Sequence, residues 1–211
     1  MISISRRAWA TIDLSALKKN LAQVRAYSPC SKIYPVIKSN AYGHGMAEAA
    51  AALKASNTNI SGLAVATVDE AIRLRQIEAE LPILLLNGFM SEEELRECLA
   101  RRIEAVVHAD YQLGALEKVL AEEVLGDARK FWIKYNTGMN RLGLGKRQAS
   151  EFYLRLQKCP NTELVLMSHL ACADDPYSKE FASFTQQQLQ YLAELRGELV
   201  TASKQDVDCS L

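Results

Sequence analysis

Val36-Ile37-Lys38-Ser39-Asn40-Ala41-Tyr42-Gly43-His44-Gly45 joins an apolar run to a lysine, a tyrosine and a Gly-His-Gly turn, and the alanine-rich stretch Met46–Lys54 follows. The run predicts a strand over Lys32–Ser39 that delivers Lys38 to its C-terminal end and hands over to a helix. A doubly wound nucleotide fold places a Gly-x-Gly-x-x-Gly turn after its first strand, and this turn lacks that spacing. The same alternation repeats downstream. Candidate strands are Gly62–Thr67, Ile83–Asn87, Glu104–His108, Lys130–Asn136 and Glu163–Leu170. Helical patterns occupy Met46–Lys54, Val68–Glu80, Glu92–Arg102, Tyr111–Leu125, Gln148–Lys158 and Ser178–Glu198. Ser91 and Thr67 are N-cap residues ahead of acidic first turns. Alternating strands and helices imply a parallel sheet, and the missing glycine fingerprint favours a (β/α) barrel. Ser15–Ala26 reads as an additional helix, and Ala8–Leu14 as a further short strand placed too early for a simple barrel.

The bulk composition narrows the functional classes. The chain has 211 residues, 49% of them hydrophobic, which is enough for one domain with a sizeable core. Its 25 basic and 25 acidic residues cancel, so charge gives no reason to expect nucleic acid or an anionic membrane. No apolar run reaches the ~20 residues of a membrane span, and Met1–Ala10 has no leader-like apolar centre. Five scattered cysteines form no Cys-x-x-Cys pair, so neither a disulfide framework nor a metal site is indicated. The default compartment is the reducing cytoplasm.

Barrel chemistry collects at the C-terminal strand ends. By period two, Tyr34, Val36 and Lys38 share one face, as do Trp132, Lys134 and Asn136, and Val165, Met167 and His169. Those faces, if they line the barrel, bring Lys38, Lys134, Arg141 and His169 to one mouth. A lysine there can act as a Schiff-base nucleophile, because partial burial frees its amine. Each residue also has a packing reading. Lys38 can snorkel, Lys134 can pair with a carboxylate, and His169 can be a satisfied rim histidine. His44 can fill its glycine-flanked turn, His108 can lie on the surface, and Arg141 can cap a loop. Cys172 near His169 lacks a third orienting group, and Asp174-Asp175 reads as a solvated loop. Tyr42 is the hardest to explain as packing.

Three blocks carry a resemblance. Lys38-Ser39-Asn40-Ala41-Tyr42-Gly43-His44-Gly45 is the first. Lys134-Tyr135-Asn136-Thr137-Gly138-Met139-Asn140-Arg141-Leu142-Gly143 is the second, and Ser168-His169-Leu170-Ala171-Cys172-Ala173-Asp174 the third. In order and spacing, together with the opening Ala8-Trp9-Ala10-Thr11-Ile12-Asp13-Leu14, the chain resembles the alanine racemases, barrel enzymes that use pyridoxal 5'-phosphate. The resemblance implies that Lys38 holds the cofactor covalently and then serves as the base on one face of the substrate α-carbon. It implies that Tyr42 lies near the cofactor phosphate, that Arg141 donates to the phenolate oxygen, and that His169 belongs to the polar network behind the ring. Lys134, a carbamylated lysine in many members, would orient Arg141, with Asn136 and Met139 in support. Asn136 stands where the family commonly has Asp.

The implied fold is a (β/α)8 TIM-type barrel, incomplete at its C-terminal end, with about six strands plus a stub. Residues 1–211 would form one pyridoxal-phosphate-binding domain, with residues 1–14 pairing with a C-terminal β-domain. A barrel of this type takes about 250 residues, and the family continues beyond the position of Leu211. The implied activity is interconversion of L-alanine and D-alanine, by a cytoplasmic homodimer that supplies D-alanine for peptidoglycan. The chain alone is expected to bind cofactor weakly, to racemise negligibly and to expose sheet edges. The alternatives are a barrel-only pyridoxal-phosphate-binding protein without racemase activity, and another amino-acid racemase or a decarboxylase of the same fold.

Overall fold

The computed structural model describes residues 8–122 and 126–211. Residues 1–7 of the Met1–Ala10 stretch and the last three residues of the Tyr111–Leu125 pattern lie outside them. Six parallel strands run in strict chain order, β1 (Leu63–Val65), β2 (Ile83–Leu85), β3 (Ile103–Val107), β4 (Arg129–Lys134), β5 (Thr162–Met167) and β6 (Asp208–Ser210). Between them lie helices α4 (Val68–Ile77), α5 (Glu92–Ala100), α6 (Asp110–Glu122), α7 (Lys146–Leu156) and α8 (Lys179–Ser203). Helices α1 (Leu14–Tyr27) and α3 (Met46–Lys54) precede them, separated by the one-turn segment α2 (Lys38–Tyr42). Sequential strand order has no point of reversal, so the sheet is not doubly wound but that of an incomplete (β/α) barrel, as expected.

Period two sorts the strand residues into two layers. Ala64, Leu84, Val106, Trp132, Val165 and Met167 point to the inside of the curl, with Tyr34 and Leu86 packed against them. The alternate residues face the helices. Leu63, Val65, Ile83, Leu85 and Ile103 pack under α1, α3 and α4, while Val107, Phe131, Ile133 and Leu166 pack under α5 to α8. The longest ladder is β4–β5, with six aligned pairs from Arg129↔Thr162 to Lys134↔Met167.

Three expectations are corrected. The first candidate strand contributes one parallel bridge, Val36↔Ala64, in place of a full ladder. The segment still runs beside β1, with Ser61 N–H donating to Ile33 at 2.8 Å and Ile37 N–H to Ala64 at 2.8 Å. Pro35 has no amide hydrogen to add, and the chain turns away at Lys38. Second, residues 8–13 form no strand; Trp9 is 84% exposed, and Asp13 caps α1 through Ser15 and Ala16 N–H. Third, α4 stops at Ile77, because the Glu78 carboxylate accepts from Glu80 and Leu81 N–H and Pro82 follows.

The floor of the curl holds a polar cluster. Trp132 Nε1 donates to Glu104 at 2.8 Å, Lys130 lies 3.5 Å from Glu104 and 3.6 Å from Glu163, and Tyr34 meets Trp132 edge-on at 5.2 Å. Lys32 and Asp208, from the first extended segment and the last strand, bond across it at 3.3 Å.

Burial holds the Glu104 carboxyl above its ordinary range, against the opposing pull of Lys130 and Trp132. A carboxyl with a raised folded-state value contributes stability that is present below its unfolded value of about 4.5 and is lost as pH rises through the folded value. Urea unfolding across that window is expected to show this fall, and Glu104→Gln to flatten it. Parallel curves for the two proteins would contradict the assignment.

Candidate functional site

Lys38 leaves the sheet on an unusual piece of backbone. Ser39, Asn40, Ala41 and Tyr42 have φ of 52°, 55°, 55° and 54°, a single left-handed turn. For L-residues that conformation costs roughly 1–2 kcal/mol each, so the surroundings must hold it. Ser39 N–H donates to Glu70 Oε1 at 2.5 Å. The other Glu70 oxygen accepts from Ala66 at 2.9 Å and Thr67 at 3.2 Å, while Thr67 Oγ1 accepts from Glu70 N–H in a reciprocal cap of α4. One carboxylate thus clamps the peptide after Lys38 to the end of β1. At the far end, Asn40 Oδ1 accepts from Met46 N–H at 2.8 Å, which starts α3. His44 Nδ1 donates to the Ala41 carbonyl at 2.8 Å, so His44 fills its turn.

Lys134 ends β4 facing inward and is only 8% exposed. Burial first, then the Arg141 guanidinium, pulls its ammonium below its ordinary value. It has no ion pair among the described residues, so the carboxylate partner of the packing reading is absent there. The loop after it closes on itself. Leu144 N–H donates to Lys134 O at 2.8 Å and Asn136 N–H to Leu144 O at 2.9 Å. Asn136 Oδ1 accepts from Gly138 and Asn140 N–H, both at 3.1 Å, so its carboxamide is spent on the loop and not on Lys134. Gly143 has φ 126°, and a Cβ there would meet Asn136 N at 2.9 Å. Arg141 rises from this closed loop and is exposed; Met139 is half-buried beside it.

His169 follows β5 at the rim. Partial burial lowers its imidazole below the ordinary value, and the charges that add to this are Lys134, Arg141 and Lys38. His169 therefore shares one mouth with the cations Lys38, Lys134 and Arg141, and among the described residues every charged group acting on the imidazole is positive. Tyr42 stands at the end of the left-handed turn, 59% exposed. Other candidates drop out. Cys172 Sγ donates to Phe181 O and not to a histidine, and Asp175 caps its own loop through Tyr177 and Ser178 N–H. His108 Nε2 donates to Asn87 O. Among the described residues no His, Cys, Asp and Glu group could hold a metal, and no helix is long and apolar enough to cross a membrane.

Buried polar side chains also tie these segments together, and the sequence motifs do not include Gln188 among them. Gln188, on α8, is fully buried; its Nε2 donates to Thr137 Oγ1 at 3.2 Å and His169 O at 3.1 Å, and its Oε1 accepts from Ala171 N–H at 3.0 Å. Thr137 and Ser168 hydroxyls lie 2.7 Å apart, and Ser168 donates to Tyr135 O at 3.0 Å. Sequence signals for Glu70 and Gln188 exist. Thr67-x-x-Glu70 is a capping-box pattern. Gln188 sits on the apolar stripe of Leu192, Leu195 and Leu199, where a polar residue needs a buried partner.

Comparison with known proteins places this geometry in context. The sequence profile "Alanine racemase, N-terminal domain" matches residues 12–209. An alanine racemase of Edwardsiella ictaluri is 42% identical over 175 residues, 82% of this chain and 46% of the relative. One of Coxiella burnetii is 40% identical over 185 residues, 87% of this chain and 48% of the relative. The chain thus spans about half the length of the curated relatives it matches. Among solved structures, the biosynthetic alanine racemase of Pseudomonas aeruginosa superposes with TM-score 0.77 at 30% identity, covering 94% of this chain and 56% of that one. That of Clostridium difficile gives 0.80 at 26% identity, covering 99% and 56%.

The clamp on the lysine-bearing turn is testable. Glu70→Ala removes the acceptors for Ser39, Ala66 and Thr67 and is expected to cost about 1–2 kcal/mol in urea unfolding. Amide exchange should quicken at Ser39 and in the left-handed turn. Unchanged exchange there would show that Glu70 does not hold it.

Proposed function

Because the chain belongs to the alanine racemase N-terminal-domain family, we propose that it forms the cofactor-binding barrel of an enzyme that interconverts L-alanine and D-alanine with pyridoxal 5'-phosphate. The observation that carries this reading is the mouth where Lys38 stands with Lys134, Arg141 and His169 and, among the described residues, no acidic side chain acts on the imidazole. The donor set suits the cofactor. A lysine amine answers its aldehyde, and uncompensated cations answer its phosphate, its phenolate and the carboxylate of an amino acid.

In this reading the side chains have separate tasks. Lys38 Nζ would hold the cofactor and, as a free amine, would take the proton from one face of the substrate α-carbon. Arg141 would donate to the phenolate oxygen, and Lys134, once carbamylated, would pair with the guanidinium and orient it. Tyr42 reaches the phosphate end, and His169 lines the polar network behind the ring. Asn136 and Met139 act at a remove, Asn136 by holding the Arg141 loop closed. Pyridoxal phosphate, when bound, spreads the negative charge left at the α-carbon into its ring. The protein's part is then to place the amine, exclude water and hold charge. The reading extends to a homodimer working in the cytoplasm, with D-alanine delivered to peptidoglycan.

The test is covalent capture. The purified chain is mixed with pyridoxal phosphate, reduced with borohydride and mapped by peptide mass. A single adduct on Lys38, absent from Lys38→Ala, is expected. Labelling spread over many surface lysines, or none, would overturn the reading.

A further inference from the structure

Gln188 is not one of the side chains gathered at the mouth, yet it is bonded to both segments that feed it. Its carboxamide reaches Thr137, at the start of the Arg141 loop, and both the carbonyl of His169 and the amide of Ala171. The proton pattern has one direction. The Tyr135 carbonyl can only accept, so Ser168 spends its proton there. Thr137 must then donate to Ser168, and its own oxygen is left to accept from Gln188. Both hydroxyls and the amide are satisfied in that single arrangement, and Gln188, Ser168 and Thr137 are all buried. The anchor is firm, because Leu192, Leu195 and Leu199 on the same face of α8 sit in the core. Gly138 adds a steric contact: a Cβ there would lie 2.8 Å from Phe184 and 3.8 Å from the Gln188 side chain, so the loop lies flat against this helix.

We propose that Gln188 is a positioning residue, which locks the loop carrying Arg141 and the segment carrying His169 into one relation so that both face the mouth with Lys38 and Lys134. The proposal rests on the reading above only for what the mouth binds. A merely structural glutamine, there to satisfy buried backbone, would lower stability when replaced and leave the arrangement of cations alone.

The experiment separates these outcomes. Gln188→Met keeps length and burial but removes all three bonds, and Leu192→Ala destabilises the same helix without touching the loops. The first readout is the NMR titration of His169 in the cofactor-free chain, assigned among three histidines by loss of its signal in His169→Asn. Partial burial first, and then the charges of Lys134, Arg141 and Lys38, hold the imidazole below its ordinary value in the parent. In Gln188→Met it is expected to move up toward the ordinary histidine value, and in Leu192→Ala to stay. Thr137→Val should reproduce the shift and Thr137→Ser should not, which keeps the test open if Gln188→Met fails to fold. The second readout is spectrophotometric titration with pyridoxal phosphate, where Gln188→Met is expected to weaken uptake about tenfold. A His169 titration unmoved in folded Gln188→Met, or unchanged uptake where the parent binds, overturns the proposal. Failure of the parent to take up cofactor counts instead against the proposed function, since the histidine titration needs none.

Discussion

The register of β4 against β5 is the constraint on which the rest depends. Six aligned pairs make it the longest ladder in the sheet, and its last pair sets Lys134 beside Met167. One step further, Tyr135 N–H donates to Met167 O and Ser168 donates to Tyr135 O. The two segments that leave this ladder carry Arg141 and His169. A slip of one residue would turn Lys134 toward the helices and Ile133 into the mouth, and the buried hydroxyls of Thr137 and Ser168 would lose each other.

What this register gathers is electrostatically uphill. Lysine, arginine and histidine side chains stand together with no acidic group acting on the imidazole among the described residues, and Lys134 is buried as well. The molecule tolerates the repulsion because the groups are held from outside. Glu70 spends its charge on the backbone after Lys38 rather than on the cations, and Asn136 closes the Arg141 loop with a neutral amide. The acidic groups are employed elsewhere, at the floor with Trp132 and Lys130 and along the helix surfaces. Supporting a positive mouth with neutral or backbone-directed partners leaves its charge free for an anionic ligand.

Sequence reading reached the features that follow from period and local chemistry. Trp132, Lys134, Val165 and Met167 share an inward face because alternation is enforced by the pleat, and Ser91 and Thr67 cap helices because their oxygens meet unpaired amides. It placed Lys38 on a strand, which failed for two reasons of longer range. Pro35 withholds a ladder donor, and the left-handed turn exists because Glu70, from the next unit, clamps it. Nothing within the 38–45 run requires five consecutive residues, Ser39 to Gly43, at positive φ. Gln188 was hidden in a Gln186-Gln187-Gln188-Leu189-Gln190 run, where only the fold decides which amide turns inward. Ala8–Leu14 looks strand-like in composition, but a strand needs a neighbour, and here Asp13 is drawn into a cap.

The strict β1-β2-β3-β4-β5-β6 order also has a consequence for how the chain comes into being. Each strand's template is the strand made just before it, so no pairing waits for a distant part of the polypeptide. At about 5–20 residues per second on the ribosome, each strand–helix unit has time to settle before the next emerges. The nascent sheet can therefore grow by addition at one edge. Its cationic mouth is completed late, once β5 and α8 have followed Lys38 out by more than a hundred residues.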